Sequence, residues 1–308
     1  GTGMAPFFRS RLPAPGPEWR EPSLDALRRF FLDPAAWLLR ERLRLDLGWR
    51  DEDLQDDEPL VAERPDVRAL STRLLNAWPE VEPGFDPADL AHAGSELPTG
   101  AIGDAVLRRL WPDLKALSGT IRDAMRDPPL APRAWRQEFS IASEPWALHG
   151  TWHDLRAWGR LRWQAAPFAP RDLLGNWIEH LALCVAPPPG VEPRTRLLAP
   201  GVELSFQPVD DARGTLAELL GWMRLGHCEP LPFFPRTSWT YVDAGYRLAT
   251  ARPVWSGGGR DRPGESARPS NRIAWRGIAD PLGERFDAVA RSVFDPLRRH
   301  LVSGGSTA

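Results

Sequence analysis

The sequence predicts a mixed α/β domain, a small sheet flanked by helices. Three observations lead there. Apolar residues recur at helical spacing in several stretches, and two neighbouring stretches between 135 and 152 alternate with a period of two. The chain has 308 residues, 42% hydrophobic and 26% charged, enough to bury a large core.

In chain order, residues 5–22 are proline-rich and irregular. Ser23 reads as an N-cap for a helix with Leu24, Leu27, Phe30 and Phe31 on one face. Asp33-Pro34 restarts a helix that turns Trp37, Leu38 and Leu45 inward, since proline suits the first helical position. Residues 50–66 are acidic and broken by prolines, hence a loop. A helix over 66–78 carries Val67, Leu70, Leu74 and Trp78. Another proline- and glycine-rich connection covers 79–99. A helix over 101–111, with Ile102, Val106 and Leu110 inward, is kinked or ended by Pro112.

Trp135, Gln137, Phe139 and Ile141 share one parity, as do Trp146, Leu148, Gly150 and Trp152, so two strands with one buried face follow. Further strands are expected over 157–165 and 202–208. Between them an amphipathic helix carries Leu173, Leu174, Trp177, Ile178, Leu181 and Val185. Another, with Leu216, Leu219, Leu220 and Met223, ends at Gly226. Residues 256–271 read as a mobile loop. Asp280-Pro281 opens a last helix with Phe286, Val289, Val293 and Leu297 in a row. The expected organisation is an N-terminal tail over 1–22, one domain over 23–302 and a tail over 303–308. Within the domain, 23–134 is mainly helical, 135–210 is the sheet core and 211–302 is helical.

Composition excludes several classes. No run of 18 apolar residues lacks charges, so no spanning helix is expected. Gly1-Thr2-Gly3 before Met4 reads as a cloning remnant, and no charged-apolar leader is seen. Two cysteines, Cys184 and Cys228, make neither a disulfide scaffold nor a four-thiolate zinc site. The expectation is a cytoplasmic protein. Residues 51–100 hold thirteen acids and three arginines, a charge of −10, leaving +8 elsewhere; a local basic face fits, a bulk-basic protein does not. Lys115 is the single lysine.

Familiar catalytic patterns are missing. His149 and His153 lie in a strand-like alternation, where four residues span about 13 Å, too far for one zinc ion. No G-x-S-x-G elbow occurs, and Gly257-Gly258-Gly259 lacks the Lys and Ser/Thr of a phosphate loop. Pro112-Asp113-Leu114-Lys115 spells parts of a two-metal nuclease signature, but on a helical segment and with both halves sharing one aspartate. The parity of Arg156, Trp158, Arg160 and Arg162 suggests a strand face of guanidiniums and an indole, suited to phosphates and bases. Arg260, Arg262, Arg268 and Arg272 form a second basic set. Fifteen tryptophans fit core packing for most and binding anchors for some.

The order of motifs resembles the C-terminal domain of RecC, the gamma subunit of exodeoxyribonuclease V (the RecBCD helicase-nuclease). PLPFFPRTSW, Pro230 to Trp239, after a helix ending LLGWMRLG, carries most of the likeness. SLDALRRFFLDPAAWLLRERLRL at 23–45, EPL at 58–60, LPTGAIGD at 97–104, NWIEHLAL at 176–183, Trp255 with Gly257, and FDPLRRHL at 294–301 complete it. The resemblance spans roughly 20–302 and implies a PD-(D/E)XK restriction-endonuclease-like core, with extra N-terminal and C-terminal helices, that has lost its active site. Where the related nucleases carry a histidine, an aspartate and an Asp-x-Lys, this chain has Asp104, His153 and Arg160-Leu161-Arg162-Trp163. Leu161 and Trp163 are among these degenerate positions. Arginine does not replace the lysine, because its guanidinium keeps its proton.

The resemblance therefore implies no catalytic residue, no metal and no cofactor. It implies a domain that meets a double-stranded DNA end or fork, helps split the strands and packs against RecB, RecD and the rest of RecC, without membrane contact. Phe233, Phe234, Arg236, Trp239 and Trp255 are the candidate interface or motif residues. The chain is expected to be a fragment or short form. Two alternatives stand beside this: a divergent magnesium-dependent nuclease, and a subunit-interaction module without DNA contact.

Overall fold

A computed structural model describes residues 5–45, 65–77, 91, 101–258, 263–278 and 280–304. Residues 5–22 form an irregular strap with one 3-10 turn, Pro17–Trp19. Helix α1, Leu24–Leu32, starts at Ser23, whose Oγ accepts the Ala26 N–H at 3.1 Å. Asp33 ends α1 and starts α2, Pro34–Trp37, by accepting the Ala36 N–H at 2.8 Å. A π turn, Leu38–Arg42, follows. Leu45 does not face inward as expected: Arg44 takes a φ of 55°, the turn ends, and Leu45 is exposed.

Helix α3, Pro65–Ala77, buries Leu70 and Leu74 as expected. Trp78 and the Val67 side chain, with residues 50–64 of the loop expected over 50–66 and most of 79–99, lie outside the described residues, while Pro65 and Asp66 already belong to α3. Helix α4, Ala101–Ala124, runs on through Pro112 rather than ending there. Pro112 sits on the exposed side, where the carbonyl it leaves unpaired can be hydrated. The buried row Leu107, Leu114, Leu117 and Ile121 holds the helix on both sides of it.

Strands β1, Arg133–Ile141, and β2, Glu144–Trp152, pair antiparallel from Arg133↔Trp152 to Ile141↔Glu144. The inward faces are those the alternation predicts. Trp135 lies opposite Gly150 and stacks on Trp152, with centroids 5.5 Å apart. A Cβ on Gly150 would meet the Trp135 ring at 3.1 Å, so glycine lets the indole lie against the strand.

A five-stranded sheet has the order β3-β4-β5-β6-β7. Its strands are β3, Leu155–Arg156; β4, Gly159–Trp163; β5, Thr195–Ala199; β6, Val202–Phe206; and β7, Leu301–Ser303. The β4–β5 pair is parallel and bridged by helix α5, Pro170–Val185; the other pairs are antiparallel. The strand expected over 157–165 is thus shorter, and Arg156 belongs to the strand before it. Gly159, at φ 123°, makes this turn, and a Cβ there would strike the Arg194 carbonyl at 2.3 Å.

The sheet separates two apolar layers. Leu161 and Leu198 point to α3 and α4. Leu155, Leu197 and Phe206 point to the main core with α1, α5, β1, β2 and the C-terminal helices. Those are α6, Ala212–Gly226; α7, Pro235–Asp243; α8, Leu248–Ser256; α9, Pro269–Ala274; and α10, Glu284–His300. The predicted row Phe286, Val289, Val293 and Leu297 on α10 is fully buried. The mixed α/β class is the one expected.

The stretch expected as a mobile loop is largely structured. Residues 259–262 lie outside the described set, but Glu265–Ala267 forms a 3-10 turn and runs into α9. The reason is Glu265, 1% exposed. Its carboxylate accepts the backbone N–H groups of Arg236 and Thr237, at 3.3 and 2.7 Å, and the Thr237 hydroxyl at 2.7 Å. It caps α7 from another part of the chain, where the helix dipole favours negative charge. Ser270 Oγ likewise donates to Asp33 Oδ2 at 3.0 Å, tying α9 to the start of α2.

The turn joining β1 and β2 is Ala142-Ser143, with φ of 52° and 63°. Both values suit Asn-Gly far better than L-residues with a plain Cβ. Replacing the pair by Asn-Gly should raise stability by about 1 kcal/mol, read as a higher urea midpoint with an unchanged slope.

Candidate functional site

The residues expected to line a nuclease-like pocket divide between the two faces of β4. Leu161 is buried against α3 and α4, and half-buried Trp163 packs with it. Arg160 and Arg162 point the other way, to α5 and the loop after β2. There they meet two carboxylates. Arg160 donates to Glu179 Oε2 at 2.5 Å and to Asp154 Oδ2 at 3.3 Å. Arg162 pairs with Asp154 and lies 3.8 Å from Glu179. Arg28 of α1 approaches Glu179 Oε1 at 4.0 Å, and the Arg160 guanidinium lies 5.8 Å from the Trp152 ring centroid.

The local sequence explains each position. Arg160 and Arg162 share a strand parity, and Asp154 lies two residues beyond the end of β2. Glu179 belongs to a polar row, Asp172, Asn176 and Glu179, spaced four and three residues apart on a mostly apolar helix. That spacing was the available signal for Glu179, which sequence reasoning missed as a member of the site. Arg160 is only 4% exposed, so its charge requires partners. The two carboxylates supply them, and their oxygens point at guanidiniums. A divalent ion held by carboxylates needs those same lone pairs. Among the described residues, no group of three or more His, Cys, Asp and Glu side chains is arranged to hold a metal.

Other predicted residues fall elsewhere. Asp104 and His153 are exposed, on α4 and beyond β2. Asp113 and Lys115 are both exposed on α4, a solvated helix face. The expected face of Arg156, Trp158, Arg160 and Arg162 does not form. Arg156 is 5% exposed and donates to the Asp127 carbonyl at 3.0 Å. Trp158 sits in the turn before β4, half-buried, with Arg196 over its ring at 5.7 Å. The parity was carried through a turn, which breaks it. Arg260 and Arg262 lie outside the described residues; Arg268 is half-buried and Arg272 exposed.

The PLPFFPRTSW motif proves to be core and cap. Phe233 and Phe234 are buried, so they do not serve as surface anchors. Phe233 stacks on Phe294 at 5.6 Å, and Phe234 lies 4.0 Å from the half-buried Trp255. Half-buried Trp239 packs edge-on against Phe294. The Ser238 hydroxyl accepts the Phe234 N–H at 3.2 Å. Arg236 reaches the Pro263 carbonyl at 3.1 Å, holding the Glu265 turn in place.

Two buried histidines are held neutral. His180 lies between Thr195 Oγ1 at 3.0 Å and the Gln207 carbonyl at 2.9 Å. A carbonyl only accepts, so Nε2 carries the proton and Nδ1 accepts from Thr195. Burial pushes His180 down to about 4, helped by the positive potential of His300 and Arg160. His227 is packed between Trp19, at 4.7 Å, Phe30 and Trp37. Burial and then Arg42 bring it to about 4 as well. Cys184, 3.4 Å from His180, is pushed up to about 11 by burial, so the pair is thiol and imidazole rather than an ionised nucleophile.

The fold and site thus define a class: a layered α/β domain with an arginine–carboxylate cluster between β4, α5 and the end of β2. The family described as "RecC C-terminal domain" matches residues 19–246, and the chain belongs to that family. It is similar to the RecBCD enzyme subunit RecC of Escherichia coli (strain K12), 25% identical over 225 residues. That match covers 72% of this chain and 19% of the relative, so the chain spans about a fifth of the relative's length.

Arg160→Met should cost about 3 kcal/mol, because it removes the closest partner of Glu179 and leaves Arg162 alone between two carboxylates. Adding Glu179→Gln should recover at least about 1 kcal/mol of that loss in a double-mutant cycle by urea melts. The histidines set an acid dependence. Their folded values lie below the free imidazole value of 6.5, so the unfolded chain binds protons first as pH falls. Stability should be full above pH 6.5 and decline towards pH 4, by roughly 1 kcal/mol per pH unit for each histidine. His227→Phe, which keeps the stack on Trp19, should remove about half of that slope.

Proposed function

We propose that residues 23–302 are a non-catalytic DNA-contact and scaffolding domain of a RecC-type subunit. In this reading it works in the cytoplasm within a RecBCD-type helicase-nuclease, beside RecB, RecD and the rest of RecC. It supports engagement of a duplex end, strand splitting and subunit assembly during double-strand break repair by homologous recombination. Its core is read as a PD-(D/E)XK fold without a working centre.

The observation that carries this reading is the pairing of the β4 arginines with two carboxylates. Arg160 and Arg162 lie against Asp154 and Glu179, on the strand where a metal-binding relative would present a carboxylate and a lysine. Guanidiniums satisfy the carboxylates without an ion. They also cannot give up a proton to chemistry near neutral pH. The burial of Phe233 and Phe234 assigns the most distinctive motif to the domain's own stability. Half-buried Trp239 and Trp255 and exposed Arg272 remain for partners.

Incubation of the purified chain with linear duplex DNA and Mg²⁺ or Mn²⁺ should leave the DNA intact. Cleavage that needs the metal and disappears in Asp154→Asn would instead make the domain a divergent nuclease. In the same preparation, binding to forked DNA should weaken steeply between 50 and 200 mM salt, since phosphate contacts release counterions. Absent or salt-independent binding would leave a subunit-interaction module.

A further inference from the structure

Helix α4 turns towards solvent a face made of small and basic residues. Arg108, Lys115 and Arg122 follow at intervals of seven, two turns and about 10.5 Å apart, so they line one side over about 21 Å. All three are exposed. Arg108 Nε donates to the Asp104 carbonyl at 3.3 Å. Among the described residues no carboxylate pairs with any of the three. Ala105, Pro112, Ala116 and Gly119 lie between and beside them, and a Cβ on Gly119 would meet nothing within 4 Å. A rod-shaped partner can therefore approach the helix backbone while the long cations reach around it.

The acids of the helix do not cancel this row. Asp123 is taken by Arg126 at 2.7 Å. Asp113 lies about 160° round the helix from Lys115 and its neighbours, counting roughly 100° per residue. Asp104 opens the row one turn before Arg108. The chemistry of the face also narrows the partner. A protein interface is anchored by apolar or aromatic side chains in pockets, and this face offers none. Single strands are held by stacking on aromatic rings, and the aromatic ring that α4 itself carries, Trp111, is half-buried against the layer under the helix. A regularly charged duplex backbone fits what is left.

We propose that this face of α4 is a phosphate-contacting surface for duplex DNA, held by Arg108, Lys115 and Arg122. The proposal rests on the DNA-contact reading above and locates that contact on α4 rather than on β4, whose arginines are engaged internally. Contacts to phosphates carry no base information, so the proposed contact is independent of sequence. Three phosphate contacts give a salt slope of about −2.7, a weakening of about 40-fold between 50 and 200 mM salt.

The test uses the full 308-residue chain and a fluorescein-labelled 20-base-pair duplex, with binding followed by anisotropy across that salt range. The variant Arg108→Gln/Lys115→Gln/Arg122→Gln should lose about 40-fold of the salt-dependent weakening. Arg108→Lys/Arg122→Lys should retain it. A control, Arg9→Gln/Arg247→Gln/Arg299→Gln, removes equal charge from other exposed positions and should change the slope little. An equal loss in both triple variants would overturn the proposal in favour of net charge. Unchanged binding in the α4 variant would overturn it and leave the DNA reading intact, whereas no binding by the parent chain would sink both. Tighter binding of a 20-nucleotide single strand, or equal competition by polyglutamate, would also overturn it. Matching amide-exchange profiles would show that the glutamine variants keep the fold.

Discussion

The charge of Arg160 is the constraint around which the candidate site is arranged. A guanidinium almost removed from water needs carboxylates, and the two it finds come from different elements: Asp154 beyond the end of β2, Glu179 from α5. Arg162 on the same strand shares both, and Arg28 brings α1 to the same place. One cluster of opposite charges therefore joins a hairpin, a strand of the larger sheet and two helices. The same cluster commits the carboxylates of Asp154 and Glu179 to guanidiniums.

Much of the fold was legible wherever a single local period governs a segment. The rows on α5, α6 and α10 bury as the heptad-like spacing predicts, and the alternation through 135–152 gives both faces of the β1–β2 ribbon. Reading failed where tertiary partners override local pattern. The parity of Arg156 to Arg162 was continuous in sequence, but Gly159 turns the chain and sends Arg156 into a separate strand. Strand β5 is a short apolar run, and such runs lack a diagnostic period. Helix α7 begins with proline and has no side-chain cap of its own; its capping carboxylate comes from a residue no local window contains. The loop expected over 256–271 contains Glu265, whose burial no local pattern signals.

The candidate site was half legible. Residues 160–163 could be seen from the sequence to carry neither carboxylate nor lysine. The partners of those arginines could not, since Glu179 is distant in sequence and only its place in the polar row of α5 marks it. The resemblance to RecC placed the chain in its family before any geometry was known. Geometry then gave the most distinctive motif, PLPFFPRTSW, a different meaning: its phenylalanines fill the core and its proline and threonine start a helix.

That helix carries a consequence for biosynthesis. The Glu265 carboxylate that caps α7 lies 28 residues after the Thr237 amide it accepts. At about 5–20 residues per second of translation, α7 leaves the ribosome roughly one to six seconds before its cap exists. During that interval the nascent segment has its hydrophobic side chains but lacks the anion that completes its first turn. Residues 235–243 thus become a settled helix only as a late event, when the chain beyond 263 folds back over them.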